Sequence, residues 1–182
     1  MKMNIGATFS RRRLVLGFAA ILAFPAVPAF AGRKHSAGEP VAKKFLGSIY
    51  QRYLGKSSAT AGGIPLTDAQ SVRSYFTFGI ASLILEDRAA ATGQSESPVL
   101  DRDPFIGRAE WDISDLSIDV TDTGAPKTVG TVTFINLGKP EKIVLELLRS
   151  GKEWRIADVE WGSGSLRGLY QRKAAYDGEA VR

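Results

Sequence analysis

TVGTVTFINLGKPEKIVLELLRSGKEWRIADVEW, residues 128–161, holds three β-strands and the turns that join them. Thr128 to Leu137 is rich in β-branched residues, Lys142 to Arg149 alternates apolar with polar, and Glu153 to Trp161 alternates again. Asn136-Leu137-Gly138-Lys139-Pro140 and Ser150-Gly151-Lys152 are turn sequences, the second tight enough for a hairpin. Just upstream, from Asp112 onward, the period is also two. Leu116, Ile118 and Val120 share one face, while Asp115, Ser117, Asp119 and Thr121 share the other. Thr123-Gly124-Ala125-Pro126 turns this strand into the next. Four strands on short glycine-containing turns predict an antiparallel meander, because parallel neighbours need a long crossover.

Toward the N-terminus the period lengthens. Pro40 suits the first turn of a helix, and Val41, Phe45, Ile49 and Tyr53 recur every four residues, with Leu46 and Leu54 beside them. Gly55 stops this helix, and Lys56 to Gly63 reads as a loop. Thr67 followed by Gln70 has the capping-box spacing. It predicts a long helix carrying Val72, Tyr75, Phe76, Ile80, Leu83 and Ile84 inward and fading near Ala91 to Gly93. Two such helices in succession predict a helical hairpin laid on one side of the sheet. Gln94 to Leu100 is a polar loop. Asp103 is placed as a helix cap with Pro104 after it, opening a short helix through Glu110. A terminal helix from Ser165 to about Ala174 packs Leu166, Leu169 and Tyr170. The fold class is α+β, with residues 40–175 as one domain, 32–39 as a flexible lead-in and 176–182 as a tail.

Residues 1–31 have the features of a secretory signal peptide: Arg11-Arg12-Arg13, an apolar run from Leu14 to Phe24, and Ala29-Phe30-Ala31 as a small-x-small cleavage site. Ser10-Arg11-Arg12 resembles the twin-arginine type, although Leu14-Val15-Leu16 stands where that pattern has Phe-Leu-Lys. The apolar run is shorter than the roughly 20 residues needed to cross a bilayer, so no stable membrane anchor is expected. No cysteine follows it for lipid attachment. The expected mature chain starts at Gly32 and is periplasmic or secreted.

Export changes the charge. The leader holds Lys2 and three arginines and no acid, so the formal net charge of +5 falls to +1 in the mature chain. A nearly neutral domain is no nucleic-acid binder, since that affinity rests on clustered Lys and Arg. The chain has no cysteine and one histidine, His35, in the polar lead-in. Thiol nucleophiles, thiolate metal sites, histidine-ligated zinc and Ser-His-Asp hydrolysis are therefore excluded, and no cofactor is expected.

Tyr50 to Leu54, Asp101-Arg102-Asp103-Pro104-Phe105, the Asn136–Pro140 turn, Trp154-Arg155-Ile156-Ala157-Asp158-Val159 and Gly164-Ser165-Leu166-Arg167 together resemble a family of bacterial exported domains of unknown function. That family lies within the nuclear transport factor 2-like superfamily, and the resemblance spans roughly residues 41–170. It implies a cone in which the helical hairpin packs on a strongly curved antiparallel sheet, closed by a short C-terminal helix. The superfamily holds ketosteroid isomerases, dehydratases, polyketide cyclases and binding modules, so the fold leaves function open. Dimerisation through the sheet face is common in it, which makes a homodimer an expectation here.

The candidate site residues cluster around Asp101 and Asp103, with Trp111 and Asp112 close in sequence. Isomerases of this fold use an aspartate base in an apolar cone beside a hydrogen-bond donor, and this chain offers tyrosines at 50, 53, 75 and 170. Their base-and-tyrosine motif has no residue-by-residue match here, and capping explains Asp103 as well. Asp101-x-Asp103 lacks the continuation of a calcium loop, so no metal site is expected. Asp115 and Asp119 read as the solvated face of an edge strand. Gly162-Ser163-Gly164-Ser165-Leu166-Arg167-Gly168 has the wrong spacing for a dinucleotide loop and reads as a turn and helix cap. Trp154 belongs to the core, and Trp161 sits at the rim. Asp103, Trp111, Trp161 and Arg167 are the candidate ligand- or partner-binding residues. The expected function is an exported binding or accessory domain contacting an envelope protein or a small apolar ligand. The alternatives are an isomerase- or dehydratase-like enzyme using Asp101 or Asp103, and an immunity protein against an envelope toxin.

Overall fold

The computed structural model describes residues 38–56, 62–94, 97–124, 126–162 and 164–180, with backbone alone at 94 and 176–180. The expected leader, His35 and residues 57–61 of the expected loop lie outside the described residues. The elements in order are α1 (Glu39–Tyr50), β1 (Gly55–Lys56), α2 (Ala69–Tyr75), α3 (Phe78–Gln94), β2 (Asp112–Asp122), β3 (Lys127–Asn136), β4 (Lys139–Ser150), β5 (Glu153–Trp161), β6 (Gly164–Ser165) and α4 (Leu166–Ala180). The strands form one open antiparallel sheet in sequence order. The expected meander is present, and two-residue strands extend it at both edges.

The hairpins follow from the turn residues. Leu137 and Gly138 both take positive φ, 50° and 76°, and join the paired residues Asn136 and Lys139. Two left-handed residues match the right-handed twist of the flanking strands. Alternation does the rest: along β3, Thr128, Gly130, Val132, Phe134 and Asn136 are buried, and the residues between them are not. β2 carries a bulge between Ser114 and Ser117, with Asp115 at φ 52° and exposed. The helices meet the buried face. Gly130 lets α1 approach, because a Cβ there would collide with Leu46 Cδ1.

Five helical expectations need correction. α1 ends at Tyr50, and Tyr53 follows in a turn, yet it is completely buried. Val41, placed on the inward stripe, is 53% exposed. Asp68, not Thr67, caps α2, its carboxylate accepting from the N–H groups of Gln70 and Ser71. The single long helix is two, broken where Phe76 extends (φ −105°, ψ 155°) to bridge Ile156. Thr77 N–H then donates to the Ile156 carbonyl at 2.9 Å. α4 runs past the expected end at Ala174.

The core gathers aromatic rings from distant segments. Phe105 sits against Tyr53 at 5.8 Å, Phe76 at 5.6 Å and Tyr50 at 6.4 Å between ring centres. Phe134 of β3 joins Tyr50 at 6.2 Å.

Candidate functional site

Asp103 lies on the loop between α3 and β2, and that loop is not the expected helix. Asp103 N–H donates to the Arg108 carbonyl (3.1 Å), and Gly107 N–H donates to the Asp103 carbonyl (2.8 Å). Gly107 closes the loop at φ 71°. Asp103 Oδ1 accepts from Phe105 N–H at 2.8 Å, so the carboxylate holds a turn two residues on rather than a helix start. Pro104, Phe105 and Ile106 are all buried in succession. One helix face cannot bury three adjacent residues, which is why burial wins over the cap signal here.

The second carboxylate oxygen reaches across the chain. Tyr53 O–H donates to Asp103 Oδ2 at 2.8 Å and itself accepts from Ile64 N–H at 2.8 Å. Trp111 stands edge-on to the Tyr53 ring, centres 5.2 Å apart. Gly63, at φ 80°, leaves room for the group, since a Cβ there would lie 3.3 Å from both rings and 3.5 Å from Asp103 Oδ2. Burial pushes the Asp103 carboxyl up to about 6, against the lowering effect of its hydrogen bonds from Tyr53 and the Phe105 and Ile106 N–H groups. Burial and the neighbouring Asp103 charge raise Tyr53 and Tyr50 well above the ordinary phenol range. Tyr50 O–H donates to the Phe105 carbonyl at 3.0 Å.

Asp101 is placed differently. It is exposed, and Arg102 Nε donates to its Oδ1 at 2.8 Å, holding the carboxyl below the usual carboxylate range. Asp101, Asp103, Trp111, Arg88 and Arg102 border one open depression of about 260 Å³. Arg88 Nε is buried with no hydrogen-bond partner among the described residues. Trp161 and Arg167 do not border this depression. Trp161 Nε1 donates to the Pro104 carbonyl at 2.8 Å, and the ring borders a second depression with Arg102, Arg108 and Glu141. Arg167 ties the start of α4 to β5, its guanidinium donating to the Ala157 carbonyl (2.8 Å) and its backbone N–H to Asp158 Oδ1 (2.9 Å). Ser165 Oγ accepts from Gly168 N–H, which caps α4. Trp154, the core tryptophan of the sequence reading, is 6% exposed.

Asp103, Trp111 and Tyr53 are thus brought together, and Asp101 joins them at the rim. Tyr53 was one of four tyrosines available to Asp103. Nothing local distinguishes it, because the two residues are 50 positions apart. Among the described residues no group of His, Cys, Asp and Glu is placed to hold a metal ion, and no helix is long and apolar enough to cross a membrane. Comparison with family models, curated proteins and solved structures returned no match.

Proposed function

We propose that this chain is an exported binding or accessory domain of the bacterial envelope, which contacts an envelope protein or a small apolar ligand and performs no chemistry on it. The observation that carries this reading is the use made of Asp103. One carboxylate oxygen holds the Phe105 N–H and the other holds the Tyr53 hydroxyl, which in turn holds Ile64. A general base needs an oxygen aimed at a substrate proton within about 3 Å. Here both oxygens join parts of the fold. The proposed cone of the nuclear transport factor 2-like type would be filled rather than hollow. In support, Phe76, Phe105, Tyr50 and Phe134 are 2% exposed or less and pack ring to ring. An immunity role is the same reading with a toxin as the partner.

One observation favours the enzymatic alternative. A carboxyl pushed up to about 6 beside a tyrosine suits acid–base work near neutral pH. The test is turnover. The protein is incubated with a β,γ-unsaturated ketone and with a β-hydroxy thioester, and isomerisation and dehydration are followed by absorbance. Rates equal to the protein-free rate are expected. A rate enhancement that Asp103→Asn abolishes, with the fold intact by circular dichroism, would overturn the binding-domain reading in favour of an isomerase or dehydratase.

A further inference from the structure

A second surface, away from Asp103, concentrates charge of one sign. Two depressions of about 390 and 410 Å³ share Arg155 as a common wall. The first runs between α1 and the β4–β5 turn, with Val41, Phe45 and Trp154 as its apolar lining. The second lies where α2 gives way to α3, with Phe76, Phe78 and Leu148. Phe78 is 84% exposed, the most exposed large apolar side chain described. The ring stands beside the groove and is not buried against any of the described residues.

The charged lining is almost entirely basic. Lys44, Lys152 and Arg155 border the first depression, and Arg73, Arg149 and Arg155 the second. Glu153 is the single acid among the lining residues, and it pairs with Arg155. Lys44, Arg73 and Lys152 are exposed and have no ion-pair partner among the described residues. The lining therefore carries four net positive charges, whereas residues 32–182 as a whole carry one. The remainder of that chain is net negative, so the surface stands out in sign as well as density. α3 begins at Phe78, which adds the positive end of a 17-residue helix to the same place.

We propose that this paired groove docks an acidic protein segment, an extended stretch in which Asp or Glu alternates with apolar side chains. The proposal rests on the binding-domain reading and names its partner class. Charge complementarity sets the sign of the occupant, and such complementarity steers association and rejects partners of the wrong charge. Shape selects a chain over a bilayer. The half-buried apolar side chains of Phe45 and Leu148 lie in concavities that a flat lipid surface cannot enter, while side chains of an extended segment can.

The test uses fluorescein-labelled synthetic peptides of alternating Glu and Phe, with Gln–Phe and Lys–Phe counterparts, titrated by anisotropy against the purified protein. Sedimentation with phosphatidylglycerol vesicles runs beside it. The Glu–Phe peptide is expected to bind most tightly. Its affinity should fall several-fold as salt rises from about 50 to about 200 mM, because exposed charges are screened over that range. The doubly substituted Lys44→Glu, Lys152→Glu protein should lose about tenfold or more in affinity. Phe78→Ser, at a position the core does not use, should also weaken binding while leaving the melting temperature unchanged. Equal affinity for the Gln–Phe peptide, or indifference to both variants, overturns the proposal. So does sedimentation with vesicles in the absence of peptide binding, which would assign the face to a membrane. Failure of the acidic peptides removes this face as a docking site and leaves the binding-domain reading in place. Turnover dependent on Asp103 would remove that reading instead.

Discussion

At the scale of single residues, Asp103 combines a structural duty with an electrostatic cost. Its oxygens pin the loop at Phe105 and reach Tyr53, and burial raises its carboxyl from 3.8 to about 6. A carboxyl raised on folding binds its proton more tightly in the folded state. The stability it contributes is therefore fully present below about pH 3.8 and is lost as pH rises through about 6. Asp103→Asn removes this dependence while keeping the side chain's shape. The melting temperature of the wild type, relative to Asp103→Asn, should fall as pH is raised from about 4 to about 7. A constant difference across that range would mean that the carboxyl titrates normally. The local signal at this position, Asp before Pro, was legible, but it fits a helix cap and a two-residue turn equally well. The buried run Pro104 to Ile106 decided between them.

Strands were more legible than helices. The alternation along β3 and β5 and the glycines at 138 and 151 locate strands and turns to within a few residues, because both signals are local in the backbone. Helix limits were set by tertiary contacts. The periodicity through Val72, Tyr75, Phe76 and Ile80 continues unbroken, yet the helix stops so that Phe76 and Thr77 can bond to Ile156 of β5. Gly130 shows the same dependence in a strand. It lies within β3 and outside the left-handed region, and the approach of Leu46 explains the missing side chain. Gly130→Ala should destabilise the protein by about 1–3 kcal/mol through overpacking. That would appear as a melting temperature several degrees lower. An unchanged melting temperature would mean that α1 does not sit on β3 as described.

On the scale of the molecule, Asp87 joins three segments. This buried carboxylate on α3 accepts from Val99 N–H (2.8 Å), Leu100 N–H (3.1 Å) and Tyr170 O–H on α4 (3.3 Å). Burial, then the Asp87 charge, raises the Tyr170 phenol above its ordinary value. Asp87→Ala leaves two backbone donors unsatisfied and frees α4 from α3. The expected loss is about 3 kcal/mol. Amide exchange at Val99, Leu100 and along α4 should accelerate more than exchange in β3 and β4. Uniform acceleration would mean that Asp87 supports the whole core rather than this junction.

By itself the sequence determined the α+β class, the antiparallel meander and its hairpins, the burial of Trp154 and the near-neutral net charge of residues 32–182. These rest on periodicity, turn residues and composition, which neighbouring residues encode. The tertiary structure alone decided which tyrosine meets Asp103, that both its oxygens are engaged, and that Lys44 and Lys152 on one side and Arg73 on the other border depressions with Arg155 as their common wall. Each of those facts joins residues from separate elements. A one-dimensional pattern records which face a residue occupies on its own element, and packing determines what that face meets.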